Sequence, residues 1–108
     1  MNLLVPERLE SRRLVLRHFK NPDWRDLHEY YSDAEATKFT IGRALTEGET
    51  WRTMCTMIGH WQIHGYGPYA IEEKASGHVL GTVGFCILEG APGVRVDVAA
   101  APGQEERP

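Results

Sequence analysis

YAIEEKASGHVLGTVGFCIL, residues Tyr69–Leu88, is the stretch whose reading decides the fold. Two strand-forming runs, Tyr69–Lys74 and His78–Leu88, flank the short loop Ala75-Ser76-Gly77. Glycine takes a positive φ at no steric cost, so Gly77 lets the two runs fold back as an antiparallel hairpin.

Upstream, the chain supplies one strand and two amphipathic helices able to cover such a sheet. Leu3–Pro6 is either a short pairing segment or a loose end. RLVLRHF, from Arg13, puts Leu14 and Leu16 on one face and Arg13, Val15 and Arg17 on the other, which predicts a strand packed on one side. Asn21 offers an N-cap and Pro22 fits the first helical position. Trp24, Leu27, His28 and Tyr31 then fall on one face, predicting a helix over Pro22–Ser32. Asp33–Ala44 reads as a loop holding at most a helical turn. Thr46 and Glu49 form a capping box, and Trp51, Met54, Ile58 and Trp61 make one stripe of a second helix. It ends near His64, where Gly65 and Gly67-Pro68 stop it.

Downstream, Glu89–Gly93 reads as a turn, and Val94, Val96 and Val98 alternate with Arg95 and Asp97 as in a further strand. The last ten residues, Ala99–Pro108, are small or polar with no apolar face and are expected to be disordered. The expected domain is residues 1–98. These elements make an α+β (α/β) fold, an antiparallel sheet of about four strands with two helices packed on it.

With 108 residues, 42% hydrophobic and 25% charged, the chain fits one small globular domain. A formal charge of −3 and the lack of a Lys/Arg stripe beyond Arg12-Arg13 and Arg17 argue against nucleic-acid binding. Two cysteines, Cys55 and Cys86, are too few for a disulfide scaffold and read as free thiols. No basic start followed by an apolar core opens the chain. Its longest run without Asp, Glu, Lys or Arg, Thr53–Ile71, is broken by His, Gln, Gly and Pro, so no membrane span is expected. A cytoplasmic location is the expectation.

No residue pattern by itself spells a catalytic group. His60 and His64 share a helix face, but a metal needs further ligands, so a polar helix end is the better reading and no metal is expected. Glu72 and Glu73 point to opposite faces of a strand and cannot act as a paired acid and base. The serines lack a Gly-x-Ser-x-Gly turn, and Cys86 has no basic neighbour. Gly77, Gly81 and Gly84 follow a strand but open no helix, so they are turn and packing glycines, not a phosphate cradle.

Three stretches together resemble the N-terminal half of a GCN5-related N-acetyltransferase, in the branch of ribosomal-protein N-terminal and small-molecule acetyltransferases. Leu9–Arg17 resembles its opening strand and Leu27–Phe39 its first helix. Trp61–Gly84 resembles the end of its second helix and the two strands that follow. The resemblance spans about residues 9–90, and makes the hairpin strands two and three of a sheet of about seven. It implies transfer of an acetyl group from acetyl-CoA to a primary amine, on a protein N-terminus or a small molecule.

By position, Val98, Ala99 and Ala100 correspond to the strand whose backbone holds the pantetheine arm. Phe39, Thr40 and Trp61 correspond to the acceptor side. The family's pyrophosphate loop, Q/R-x-x-G-x-G/A, has no match, because Gln104 is followed by Glu105, Glu106, Arg107 and Pro108. Carboxylates there repel phosphates. The expectation is therefore an acetyltransferase chain that is truncated, incomplete and inactive. The alternative is a non-catalytic assembly module that self-associates through an open sheet edge.

Overall fold

The computed structural model describes residues 5–88 and 91–98. Five strands form one antiparallel sheet in the order β1-β2-β3-β4-β5: β1 Leu9–Glu10, β2 Leu14–Arg17, β3 Tyr69–Glu73, β4 Val79–Leu88 and β5 Ala91–Val98. Between β2 and β3 lie a 3-10 turn, Asn21–Asp23, and helices α1 Trp24–Tyr31, α2 Ala34–Thr37 and α3 Glu47–His64. The α+β reading holds, with the sheet one strand larger than expected. The fifth strand comes from Leu9–Arg17, which is two strands and not one. Ser11 N–H donates to Leu14 O at 2.9 Å and Leu14 N–H to Ser11 Oγ at 3.1 Å, a turn that folds Leu9 back onto Leu16.

The central hairpin forms as its residues require. Gly77 sits at φ 75° and donates its N–H to Glu73 O at 2.8 Å, while Glu73 N–H reaches His78 O. Register runs Tyr69↔Val83 to Ile71↔Gly81, then slips to Glu72↔Val79, leaving Leu80 as a bulge. A bulge adds twist, and here it precedes the strand's closest approach to β5.

On one side of the sheet, Leu27, Tyr30 and Tyr31 of α1 meet Met54 and Met57 of α3 over Ala70 and Val79. Burying each such side chain contributes about 1.5–3 kcal/mol. The α3 capping box is present as read: Glu49 N–H donates to Thr46 Oγ1, and Glu49 Oε1 accepts the Thr46 N–H. Gly65, left-handed at φ 75°, ends the helix.

Four expectations need correction. The buried residue of β2 is Val15, while Leu14 and Leu16 are half-buried. Its partner on that face, Arg17, is held among acids: Nη1 and Nη2 donate to the two Asp23 oxygens at 2.8 and 3.1 Å, and Nε to Glu72 Oε1 at 2.8 Å. Asn21 caps no helix. Asp23 instead draws the chain into the 3-10 turn by accepting Lys20 N–H at 2.7 Å, and it raises the Arg17 pKa further above its ordinary value. Trp51 stands exposed, since the buried stripe of α3 runs through Thr50, Met54, Met57 and Trp61. Finally, Ala91–Gly93 belong to β5 and not to a turn.

The larger surprise concerns the faces of β5. Val94, Val96 and Val98 are exposed, while Asp97 is buried. Period-two alternation is present with the polar side turned inward. The backbone packs tightly here: a Cβ on Gly81 would lie 1.9 Å from Asp97 O and 2.8 Å from Val98 Cα. Gly59, inside α3, has open space around its Cβ position. We therefore expect Gly81→Ala to destabilise the chain by about 2–3 kcal/mol and Gly59→Ala to stabilise it by about 0.5–1 kcal/mol, read as opposite shifts of the urea midpoint.

Candidate active site

The C-terminal end of α1, the loop after α2 and strand β5 meet around one buried carboxylate. Asp97, 5% exposed, accepts from Arg95 Nε at 2.8 Å and from Tyr31 Oη at 3.0 Å on the same oxygen. Tyr30 Oη reaches its other oxygen at 3.4 Å. Arg95 Nη2 donates to Tyr31 Oη at 2.9 Å, closing a ring of three polar groups. Thr40 Oγ1 lies 3.1 Å from Tyr30 Oη. Thr40 donates its own proton to Thr37 O at 3.3 Å.

Burial, the largest influence, pushes the Tyr31 phenol well above its ordinary pKa, with Arg95 opposing and Asp97 adding to the rise. For Arg95 burial pulls downward, and the neighbouring Tyr31 and Asp97 outweigh it, so its pKa is raised. Tyr31 stays a neutral donor and Arg95 a cation at any ordinary pH. Tyr31 has no exposed surface, so its part in the ring is to hold β5 in place, while Arg95 also reaches the wall of the neighbouring cleft.

Beside it lies a cleft of ≈430 Å³ between the 41–45 loop, α3 and β5. Its walls include Arg43, Glu49, Arg52, Thr53, Thr56 and Arg95. Glu49, Arg52, Thr53 and Thr56 follow i, i+3, i+4, i+7 spacing and make a polar stripe on α3, beside its buried stripe. Arg43 pairs with both oxygens of Glu49. The side-chain bond from Arg43, followed by the Thr46 amide, pushes the Glu49 pKa down to about 2 from 4.5.

The sequence-predicted acceptor residues are dispersed. Phe39 is 89% exposed, with Lys38 Nζ 5.0 Å from its ring centroid. Thr40 joins the Asp97 cluster through Tyr30. Trp61 is 7% exposed, donates to Pro68 O at 2.7 Å and packs on His18 and Tyr69, away from the other two. Val98 ends β5 opposite Gly81 with its side chain exposed, while Ala99 and Ala100 lie outside the described residues, as does the expected 99–108 tail. No periodicity marked Tyr30, Arg95 or Asp97. The only signal available was the pair of charges interrupting a valine alternation.

Several other polar groups have structural work. His60 is clamped between Tyr66 O (Nδ1, 2.9 Å) and Ile87 N–H (Nε2, 2.9 Å), so it bridges α3 to β4. Glu72 is held by Arg17. Asp26, Glu29 and His78 bring ligand atoms within 4.8 Å of one another, but Asp26 is committed to Val79 N–H at 2.9 Å and lies 3.4 Å from His78 Nδ1. Cys55 and Cys86 are free, and burial raises the Cys86 thiol pKa. Among the described residues no helix is long and apolar enough to cross a membrane.

Comparison with known proteins gives a consistent result. The domain model described as acetyltransferase (GNAT) domain matches residues 13–106. The uncharacterized N-acetyltransferase p20 of Bacillus licheniformis is 32% identical over 84 residues, covering 77% of this chain and 47% of that protein. A solved structure assigned to the GNAT acetyltransferase family from Bordetella pertussis superimposes with a TM-score of 0.69 at 22% identity, covering 93% of this chain and 65% of that one. A GNAT-family acetyltransferase of Bacillus anthracis gives 0.68 at 19% identity, with 92% and 57% coverage. The chain thus spans about half the length of this Bacillus licheniformis relative.

Asp97→Asn keeps the shape but leaves half-buried Arg95 without its counter-ion, which should cost about 3 kcal/mol in urea unfolding. Tyr31→Phe should cost about 1–2 kcal/mol, and the double variant less than the sum, because all three groups share one network. The Glu49 contribution has the opposite pH sense to a histidine. With a folded pKa below the unfolded value, its stabilisation is full above pH 4.5 and disappears as pH falls toward about 2. Glu49→Gln should flatten the acid limb of a stability-against-pH curve across that window.

Proposed function

Because this chain belongs to the GNAT acetyltransferase family, we propose that it acts in acetyl-CoA-dependent transfer of an acetyl group to a primary amine. The observation that carries the reading is the state of β5. It is the last strand in the sheet order, so its outer edge offers unpaired backbone donors and acceptors among the described residues. By the family resemblance this is the strand whose end, at Val98, Ala99 and Ala100, holds the pantetheine arm. An extended thioester arm lying along such an edge is held as an added strand is held, by main-chain hydrogen bonds.

In the reaction, the free amine attacks the thioester carbonyl carbon. The C–N bond forms, the C–S bond breaks, and the coenzyme leaves as a thiol after taking a proton. Holding the two reactants in line supplies a large part of the rate. Phe39 and Thr40, on the loop after α2, are the acceptor-side residues of this proposal. Trp61 supports the sheet from behind through its bond to Pro68. The acceptor is a small molecule or a peptide N-terminus.

A second reading has its own observation. Phe85, Val94, Val96 and Val98 are exposed on one face of the β4–β5 hairpin beside the free edge. Antiparallel pairing of β5 with β5 of a second copy about Val96 would set Arg95 opposite Asp97 and extend the valine stripe.

Isothermal titration of the chain with acetyl-CoA tests the first reading: saturable micromolar binding supports it and overturns the expectation of an incomplete, inactive chain, and no heat beyond dilution at millimolar ligand would sink it. Sedimentation over a hundredfold concentration range separates the second. A concentration-dependent dimer favours the edge pairing, and a monomer throughout removes it.

A further inference from the structure

The cleft beside β5 carries more positive charge than its neighbours require. Three arginines converge on it from three elements: Arg43 from the loop, Arg52 from α3 and Arg95 from β5. Two have counter-ions. Arg43 is matched by Glu49, and Arg95 by Asp97. Arg52 has no ion-pair partner among the described residues, and its guanidinium lies over Gly48 of its own helix. Bringing a third guanidinium to a surface where the carboxylates are already committed does not help folding, because like charges repel.

The hydrogen-bond inventory says what is left over. Arg95 spends Nε on Asp97 and one Nη2 hydrogen on Tyr31, and its Nη1 makes no side-chain bond among the described residues. Arg52 offers its whole fork. Thr53 and Thr56 turn their hydroxyl protons back to Glu49 O and Arg52 O, which fixes their orientation on the α3 stripe. The one carboxylate in the wall, Glu49, is engaged by Arg43 and by the Thr46 N–H. Asp97 is buried behind Arg95 and presents no charge to the opening. Unspent donors outnumber free acceptors in a hollow of ≈430 Å³, a size that holds a small molecule.

We propose that this cleft binds an oxyanion, a carboxylate or a phosphate, carried by the acceptor amine, with Arg52 and Arg95 as the recognising forks. The inference rests on the acetyl-transfer reading and narrows its acceptor to amines that bear such a group. Guanidinium pairs bind carboxylate and phosphate through two parallel bonds, so they fix orientation as well as position. An acceptor anchored by its anion at Arg52 and Arg95 is held next to β5, beside the edge proposed for the thioester.

The test is titration of the 108-residue chain with inorganic phosphate and, separately, with succinate, at ionic strength held constant with sodium chloride. Saturable binding of at least one is expected. Arg52→Ala should weaken it about tenfold, Arg52→Lys less, and Arg25→Ala, on exposed α1 surface, not at all. The better of the two probes identifies the oxyanion. Unsaturable binding of both, equal affinity in Arg52→Ala, or displacement of the bound anion by coenzyme A overturns the proposal. The acetyl-CoA titration is independent: acetyl-CoA binding without anion binding removes only this inference. Anion binding without acetyl-CoA binding removes the transfer reading and, with it, the assignment of the anion to an acceptor.

Discussion

A carboxylate with almost no contact with water sets the terms for the C-terminal end of this sheet. Burying Asp97 alone would cost several kcal/mol, so its neighbours have to meet it with protons and charge. Arg95, Tyr31 and Tyr30 do so. Meeting that demand turns the charged face of β5 toward α1 and leaves Val94, Val96 and Val98 outside. It also requires β5 to lie close on β4, which the missing side chain of Gly81 permits. Orientation, register and packing of the last strand all follow from one polar group.

A second charged knot works at the other end of the chain. Arg17 joins β2 to the 3-10 turn through Asp23 and to β3 through Glu72. His60 adds a third tie, from α3 to the backbone of β4 at Ile87. With α1 and α3 packed over Ala70 and Val79, these ties fix the sheet against the helices without a disulfide bond among the described residues. A rigid sheet is what the proposed transfer would need, because catalysis by positioning loses its force if the scaffold yields by an ångström.

Family membership and geometry constrain function at different levels. Membership gives the acetyltransferase class. The likeness to solved structures, at identities of 22% and below, carries the fold alone. Any choice of acceptor has to come from this chain's own residues, and the three arginines of the cleft are the feature on which the proposed anion recognition rests. They reach the cleft because Asp97 holds Arg95 at its rim and because the α3 capping box fixes the rotation of the polar stripe bearing Arg52.

The sequence by itself determined the local elements of this protein. Gly77 fixed the hairpin, Thr46 and Glu49 the start of α3, Gly65 its end, and Asp33–Ala44 read correctly as a loop with one helical turn. Each depends on neighbours a few residues apart, where sterics and hydrogen bonding are decided locally. The family pattern across residues 9–90 was legible for the same reason, as a succession of such signals. What only the tertiary structure decided was which face of each element is buried. Alternation says that two faces differ but not which one meets the helices, so Val15 was hidden behind its leucines and Asp97 behind its valines. The site suffered most, because Tyr30, Tyr31, Thr40, Arg95 and Asp97 come from three separate elements. Their meeting is settled by the cost of an unpaired buried charge, a quantity set by the assembled fold and by no stretch of sequence alone.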